Sequence, residues 1–265
     1  MLDALIFDSG VGGLSVSAAI RCRMPWLSLG YVCDNSALPY GTKDDAWLVE
    51  RIADVCSRTC ELARPRALVV ACNTASTLAL EALRQRLSIP VIGTVPAIKP
   101  AAALSQRRVI GLLATSATVQ RPYLDRLIET YAADCRVVRV AADALVIEAE
   151  HLLKGQAVDA AKLRLAVEPL RVAKNLDIVV LGCTHFPLLR RRLEPLMPHV
   201  HWLDSGDAIA RRLAVVLADG PPIARSEPEA NASPSWASAA SAEGLAVALN
   251  GFGYSPPLDL DMPFR

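Results

Sequence analysis

Several features that commonly mark a chain's function are scarce in this one. The formal net charge is only +1 over 265 residues, which argues against nucleic-acid and membrane-surface proteins, because those usually carry a strong basic bias. No apolar stretch reaches the roughly 18–20 residues that a membrane span needs. The opening Met1-Leu2-Asp3-Ala4-Leu5-Ile6-Phe7-Asp8 has no basic leader or cleavage site and reads as a strand entering the fold. Seven cysteines is an odd count, without the spacing of a small disulfide scaffold. Free thiols in a core-rich chain without a signal peptide point to the reducing cytoplasm. Phosphate and dinucleotide loops are missing as well. No Gly-Lys-Ser/Thr follows the turn Gly10-Val11-Gly12-Gly13, and Ser15 stands where a dinucleotide fingerprint has its third glycine. No metal site is expected, since neither Cys56 with Cys60 nor His199 with His201 has further ligands nearby.

What is present is an ordinary globular composition, 52% hydrophobic and 21% charged. The length suits one large domain or two of about 100–150 residues. Short apolar runs at 4–7, 29–32, 67–71, 91–92, 109–113, 136–140, 178–181 and 201–203 read as strands. Helical periodicity lies between them, as at 46–62, 77–86, 122–131 and 163–173. Such alternation predicts an α/β fold with mainly parallel sheets and helices on both faces. Two pseudo-symmetric α/β domains are expected, facing each other across a cleft: 1–96 plus 208–251, then 97–207, with 252–265 as a peripheral tail. Gly93 and Pro96 mark the crossover. The stretch 219–241, rich in Pro, Ser, Ala and Glu, reads as a linker, and 242–249 as one more short helix.

Two segments look alike. Ala67-Leu68-Val69-Val70-Ala71-Cys72-Asn73-Thr74 and Ile178-Val179-Val180-Leu181-Gly182-Cys183-Thr184-His185 each run from a buried strand into a cysteine, then into small polar residues opening a helix. Ligands on parallel sheets bind at the carboxyl ends of strands, where both cysteines fall. A thiol at a helix start meets unpaired backbone N–H groups and the positive end of the dipole, which favours thiolate. One such cysteine is as readily a packing residue; the repetition favours function. A matched pair of thiols suits a reaction that needs two similar groups on opposite faces of one carbon.

Other polar groups cluster at strand ends. His185 is placed to act as acid or base beside Cys183. Asp8 and Ser9 precede the glycine turn, which either offers N–H groups to an anion or is a plain tight turn. Pro39, Tyr40 and Gly41 close a polar loop after the second strand, and Thr115, Ser116 and Thr118 follow a later one. These are ligand-binding groups or helix caps.

The strings Phe7-Asp8-Ser9-Gly10-Val11-Gly12-Gly13-Leu14-Ser15, Pro39-Tyr40-Gly41, Ala71-Cys72-Asn73-Thr74-Ala75, Ala114-Thr115 with Thr118-Val119, Leu181-Gly182-Cys183-Thr184-His185-Phe186-Pro187-Leu188-Leu189 and Asp204-Ser205-Gly206 resemble the cofactor-independent glutamate racemases of the aspartate/glutamate racemase superfamily. The resemblance implies two α/β domains with the active site between them and no cofactor. It implies that Cys72 deprotonates D-glutamate and Cys183 deprotonates L-glutamate, each reprotonating the carbanion made by the other. It makes Asp8 and His185 helpers of the thiols and Glu150 an assisting acid. Ser9, Pro39, Tyr40, Gly41, Asn73, Thr74, Thr115, Thr118 and Thr184 match positions that hold the substrate. A pyridoxal enzyme would need a Schiff-base lysine, and none of the five lysines lies in the cysteine strings. The partner implied is glutamate, destined for peptidoglycan, with no membrane, no direct nucleic acid, and a monomer or homodimer. Two other readings remain open: the same fold acting on aspartate, another amino acid or a hydantoin, and a non-catalytic binding protein on a racemase scaffold, such as one that meets DNA gyrase.

Overall fold

The computed structural model describes residues 2–219 and 232–262. The chain forms two compact units, one made of residues up to Thr94 together with those from Gly206 onward, the other spanning Val95–Ser205.

The first unit runs β1 (Ala4–Asp8), α1 (Leu14–Arg23), β2 (Leu29–Cys33), α2 (Asp45–Ala63), β3 (Ala67–Val70), α3 (Asn73–Arg86) and β4 (Val91–Gly93). The second runs α4 (Ile98–Leu104), β5 (Val109–Ala114), α5 (Ser116–Val119), α6 (Pro122–Tyr131), β6 (Arg136–Ala141), α7 (Ala144–Leu153), α8 (Ala160–Arg171), β7 (Ile178–Leu181), α9 (Arg190–Leu193) and β8 (His201–Leu203). The chain then adds α10 (Gly206–Ala218), β9 (Ser235–Ala237), α11 (Leu245–Asn250) and β10 (Leu258–Asp259) to the first unit.

All strand pairs among the described residues are parallel. The sheet orders are β10-β9-β2-β1-β3-β4 and β6-β5-β7-β8. Within each, four strands follow one plan: second, first, third, fourth. This is the α/β architecture that the strand-helix alternation predicts. Strands covered on both faces read as continuous apolar runs, and β3 and β7 are buried throughout. Alternation along the second sheet divides its core. Val109, Leu113, Val179 and Leu181 pack with residues of α7 and α8, while Ile110, Leu112, Ile178 and Val180 pack with α4 and α6. In the first unit Leu5, Phe7, Leu68 and Val70 face α2 and α3.

Two readings of the later chain change. Residues 252–265 are not a peripheral tail where the structure describes them. Tyr254 and Leu260 are buried, and β10 joins the sheet through β9. Tyr254 packs on Tyr31 with ring centroids 5.4 Å apart, and its hydroxyl lies 2.6 Å from Ser17 Oγ. Burying a large side chain contributes about 1.5–3 kcal/mol, enough to anchor a short segment. The linker reading at 219–241 falls largely on 220–231, outside the described residues; beyond it β9 pairs with β2, Val32 opposite Trp236.

Candidate functional site: two buried thiols at strand ends

Cys72 follows β3 and is the N-terminal flanking residue of α3. It is 7% exposed, and its Sγ lies 3.6 Å from Ser9 Oγ. Ser9 comes from the end of β1, the neighbouring strand. Behind the thiol, Ser76 Oγ donates to the Val70 carbonyl at 2.9 Å and accepts the Thr94 N–H at 2.8 Å. The Thr94 hydroxyl donates to the same carbonyl at 2.9 Å. These bonds tie the ends of β3 and β4 together where Cys72 emerges. Ser76, one helical turn after Cys72, was legible as a small polar residue on the same face; Thr94 needed the sheet order.

The glycine turn packs tightly around Asp8, which is wholly buried. Asp8 Oδ1 accepts the Gly10 N–H at 2.8 Å, and the Tyr31 hydroxyl donates to the Gly10 carbonyl at 2.8 Å. A Cβ on Gly13 would sit 2.8 Å from Asp8 Cβ and 2.9 Å from Tyr31 Oη, so glycine is required by close approach. Asn73 and Thr74 open α3. Asn73 is 7% exposed, and its Oδ1 is a buried acceptor without a protein donor. Such a group is normally satisfied by some partner. Tyr40 is buried, with its hydroxyl donating to Asp34 Oδ2 at 2.8 Å, while Pro39 and Gly41 beside it are exposed. Burial, then the charges of Asp34 and Cys72, push Tyr40 well above the usual tyrosine value, so the phenol stays neutral.

Cys183 follows β7 in the same structural position but has different surroundings. Its Sγ lies 3.8 Å from His185 Nδ1, and His185 Nε2 lies 2.9 Å from Glu150 Oε1. Both residues are buried, and Lys154 Nζ stands 3.2 Å from the other Glu150 oxygen. An ionised carboxylate only accepts, so a neutral imidazole carries its proton on Nε2 and turns the Nδ1 lone pair toward the thiol. The helix anticipated after this cysteine is instead a 3-10 turn, Phe186–Leu189, leading into the four-residue α9. Pro187 sits at its start, without an N–H. A Cβ on Gly182 would meet Leu112 Cδ1 at 2.8 Å and Ala114 Cβ at 3.1 Å, so the chain is closely packed where it leaves β7. Thr184 is buried next to the thiol in sequence. Thr115 and Thr118 come together at the end of β5, their hydroxyls 3.1 Å apart.

Two further thiols, Cys56 and Cys60 on α2, differ in kind. Burial pushes Cys56 well up and, with Glu61 adding to it, raises Cys60 to about 12, so both stay protonated packing groups. Among the described residues no group of three or more His, Cys, Asp or Glu side chains is arranged to hold a metal ion.

Paired α/β units, each with a buried thiol at the end of its third strand, describe a class of isomerase, and comparison with known proteins agrees. Residues 18–213 match the model of the Asp/Glu/Hydantoin racemase family, and the chain belongs to that family. It is 47% identical over 223 residues to the glutamate racemase of Pectobacterium atrosepticum, covering 83% of this chain and 78% of that one. It is 45% identical over 252 residues to the glutamate racemase of Salmonella paratyphi A, covering 94% and 89%. Among solved structures, Escherichia coli glutamate racemase in complex with L-glutamate and the activator UDP-MurNAc-Ala matches with a TM-score of 0.89, at 42% identity over 96% of each chain.

Proposed function

We propose that this enzyme interconverts L- and D-glutamate without a cofactor, and that it supplies D-glutamate for peptidoglycan from the cytoplasm. The observation that carries the reading is the pair of buried thiols, each at the end of the third strand of its unit and each held by a partner of its own. Inverting an α-carbon means removing a weakly acidic proton from one face and delivering one to the other, which requires an acid/base group for each face. Cys72 takes the proton of D-glutamate and Cys183 that of L-glutamate, and each thiol returns a proton to the carbanion formed by the other. His185, oriented by Glu150, is the base that prepares Cys183; Ser9 and Asp8 serve Cys72. Hydroxyl and backbone donors around the α-carboxylate, among them Thr74, Thr115, Thr118 and Thr184, stabilise the enolate-like charge that develops. The unpartnered Oδ1 of Asn73 suits the ammonium group of the substrate. The sequence identity to glutamate racemases supports glutamate over aspartate as substrate.

Circular dichroism of L-glutamate incubated with the purified protein tests the reading. Loss of optical activity to a racemic end point is expected, with kcat/KM for glutamate well above that for aspartate. An unchanged signal, or a preference for aspartate, overturns it.

A further inference from the structure

Asp34, at the end of β2, is wholly buried, and three groups converge on its carboxylate. Arg51 on α2 reaches it with Nη2 at 2.7 Å from Oδ1 and Nε at 3.0 Å from Oδ2, and the Tyr40 hydroxyl donates to Oδ2 at 2.8 Å. The backbone N–H of Asp34 donates to the Asp8 carbonyl at 3.0 Å, tying it to the strand end that carries Asp8 and Ser9. Arg51 Nη2 also donates to Ser36 Oγ at 3.2 Å. Ser36 in turn bonds Ser238 Oγ through its N–H at 3.0 Å and its hydroxyl at 2.8 Å, while Asn35 exchanges two hydrogen bonds with Ala239. The loop from Asp34 to Gly41 is therefore fastened on one side by α2 and on the other by the chain just after β9.

We propose that Arg51 is a positioning residue for the Cys72 half of the reaction: acting through Asp34, it fixes the Pro39-Tyr40-Gly41 loop beside that thiol. The proposal rests on the racemase reading above. Tyr40 and Cys72 belong to the same buried cluster. A buried ion pair brings little net stability compared with an apolar group of similar volume. What the guanidinium adds is a planar fork that accepts only one arrangement of the carboxylate. Asp34, so oriented, leaves one lone pair for the Tyr40 hydroxyl, which sets the direction of the ring and with it the loop. Neither Arg51 nor Asp34 needs to touch substrate for this.

The test uses Tyr40→Phe, Arg51→Lys and the charge-free double variant Asp34→Asn with Arg51→Gln, each checked for folding by far-UV circular dichroism. Two readouts are taken: racemisation, and the alkylation rate of Cys72 relative to Cys183 in the same molecule, mapped by mass spectrometry. The folded double variant is expected to lose about 10- to 100-fold in kcat/KM, the scale of roughly 1 Å misplacement, with Cys72 alkylated several-fold faster and Cys183 unchanged. Tyr40→Phe should move both readouts in the same direction, and Arg51→Lys should fall short of wild type, because an ammonium cannot reproduce the fork. Added guanidinium should partly restore the loop in Arg51→Gly, entering from the groove of about 710 Å³ that Arg51 lines with Trp47 and Arg58. An unchanged alkylation ratio in folded Tyr40→Phe overturns the proposal, even where the charge-deleted variants fail to fold. A wild type that does not racemise overturns the racemase reading, while the alkylation ratio still decides whether Arg51 positions the loop.

Discussion

Cys72 and Cys183 occupy the same place in two sheets of the same plan, yet they are served differently. Cys72 meets a serine hydroxyl and stands at the head of the fourteen-residue α3. Cys183 meets an imidazole backed by a buried carboxylate, and only a 3-10 turn follows it. A long helix supplies an aligned dipole and free N–H groups at its start, which favour a thiolate. A short turn supplies little of either, and on the proposed reading the His185–Glu150 pair draws off the proton of Cys183 there. The fold repeats the position of the sulfur; the side chains around it differ.

The largest expected effect comes from removing either sulfur. Cys72→Ala and Cys183→Ala should each lower racemisation by about 10³-fold or more, as expected for loss of an acid/base group acting on the reacting carbon. If either variant keeps substantial turnover by circular dichroism, the two halves are not equal partners. Next is Glu150→Gln, which replaces the acceptor at His185 Nε2 with an amide that can donate and so favours the wrong tautomer. A loss of about 100-fold in kcat/KM is expected. It should be equal in both directions, because enantiomers have equal free energy and the equilibrium constant is unity. An asymmetric kcat/KM in a progress-curve fit would expose a flaw in the kinetics rather than in the site.

A smaller effect sharpens the contrast from the side of α7, the helix that carries Glu150. Glu148 on the same helix is buried, 2.8 Å from Lys162 Nζ, and accepts the Asp159 N–H at 2.7 Å. The Lys162 hydrogen bond holds its carboxyl below the usual glutamate range. A depressed folded-state value means that the stability it adds is present above about pH 4.3, the ordinary value, and is lost as pH falls through the folded one. Glu148→Gln should therefore cost about 1–3 kcal/mol at pH 7. The gap to wild type should narrow as acid is added, as read from urea midpoints across that range. A gap that widens in acid would contradict the assignment. The smallest effect is that of Ser9→Ala, which removes one hydroxyl beside Cys72. A loss of a few-fold in kcat/KM is expected, in keeping with a net hydrogen bond of about 1 kcal/mol; a loss as large as that of Glu150→Gln would make the two sides alike.

The core strands and both sulfurs were legible because β3 and β7 are uninterrupted apolar runs ending in the same residue type. The edge strands were not. Ser-Trp-Ala at 235–237 has no alternation to read, and it becomes a strand only because β2 offers an open edge with Val32 opposite Trp236. The tail misled for a related reason: Pro256 and Pro257 look like frayed chain, while Tyr254 is held by Ser17 and Tyr31, more than two hundred residues earlier. The helix expected after Cys183 follows from its likeness to the Cys72 string, but Pro187 and the tight packing of Phe186 and Leu189 draw the chain into a 3-10 turn instead. Within the site, Asp8, Tyr40 and His185 were named from short strings. Glu150 was named as an assisting acid as well, but its bond to His185, like those of Gly10 to Asp8 and Asp34 to Tyr40, became plain only from geometry, and the reach of Arg51 from α2 to Asp34 is invisible without the fold.

The exchange of the α-proton with deuterated solvent, followed separately for each enantiomer by NMR in the two cysteine variants, tests the two-thiol account most directly. Cys72→Ala should still wash deuterium into L-glutamate through Cys183 and leave D-glutamate untouched, and Cys183→Ala should do the reverse. The same exchange pattern in both variants, or exchange of both enantiomers by either one, would contradict the assignment of one thiol to each face.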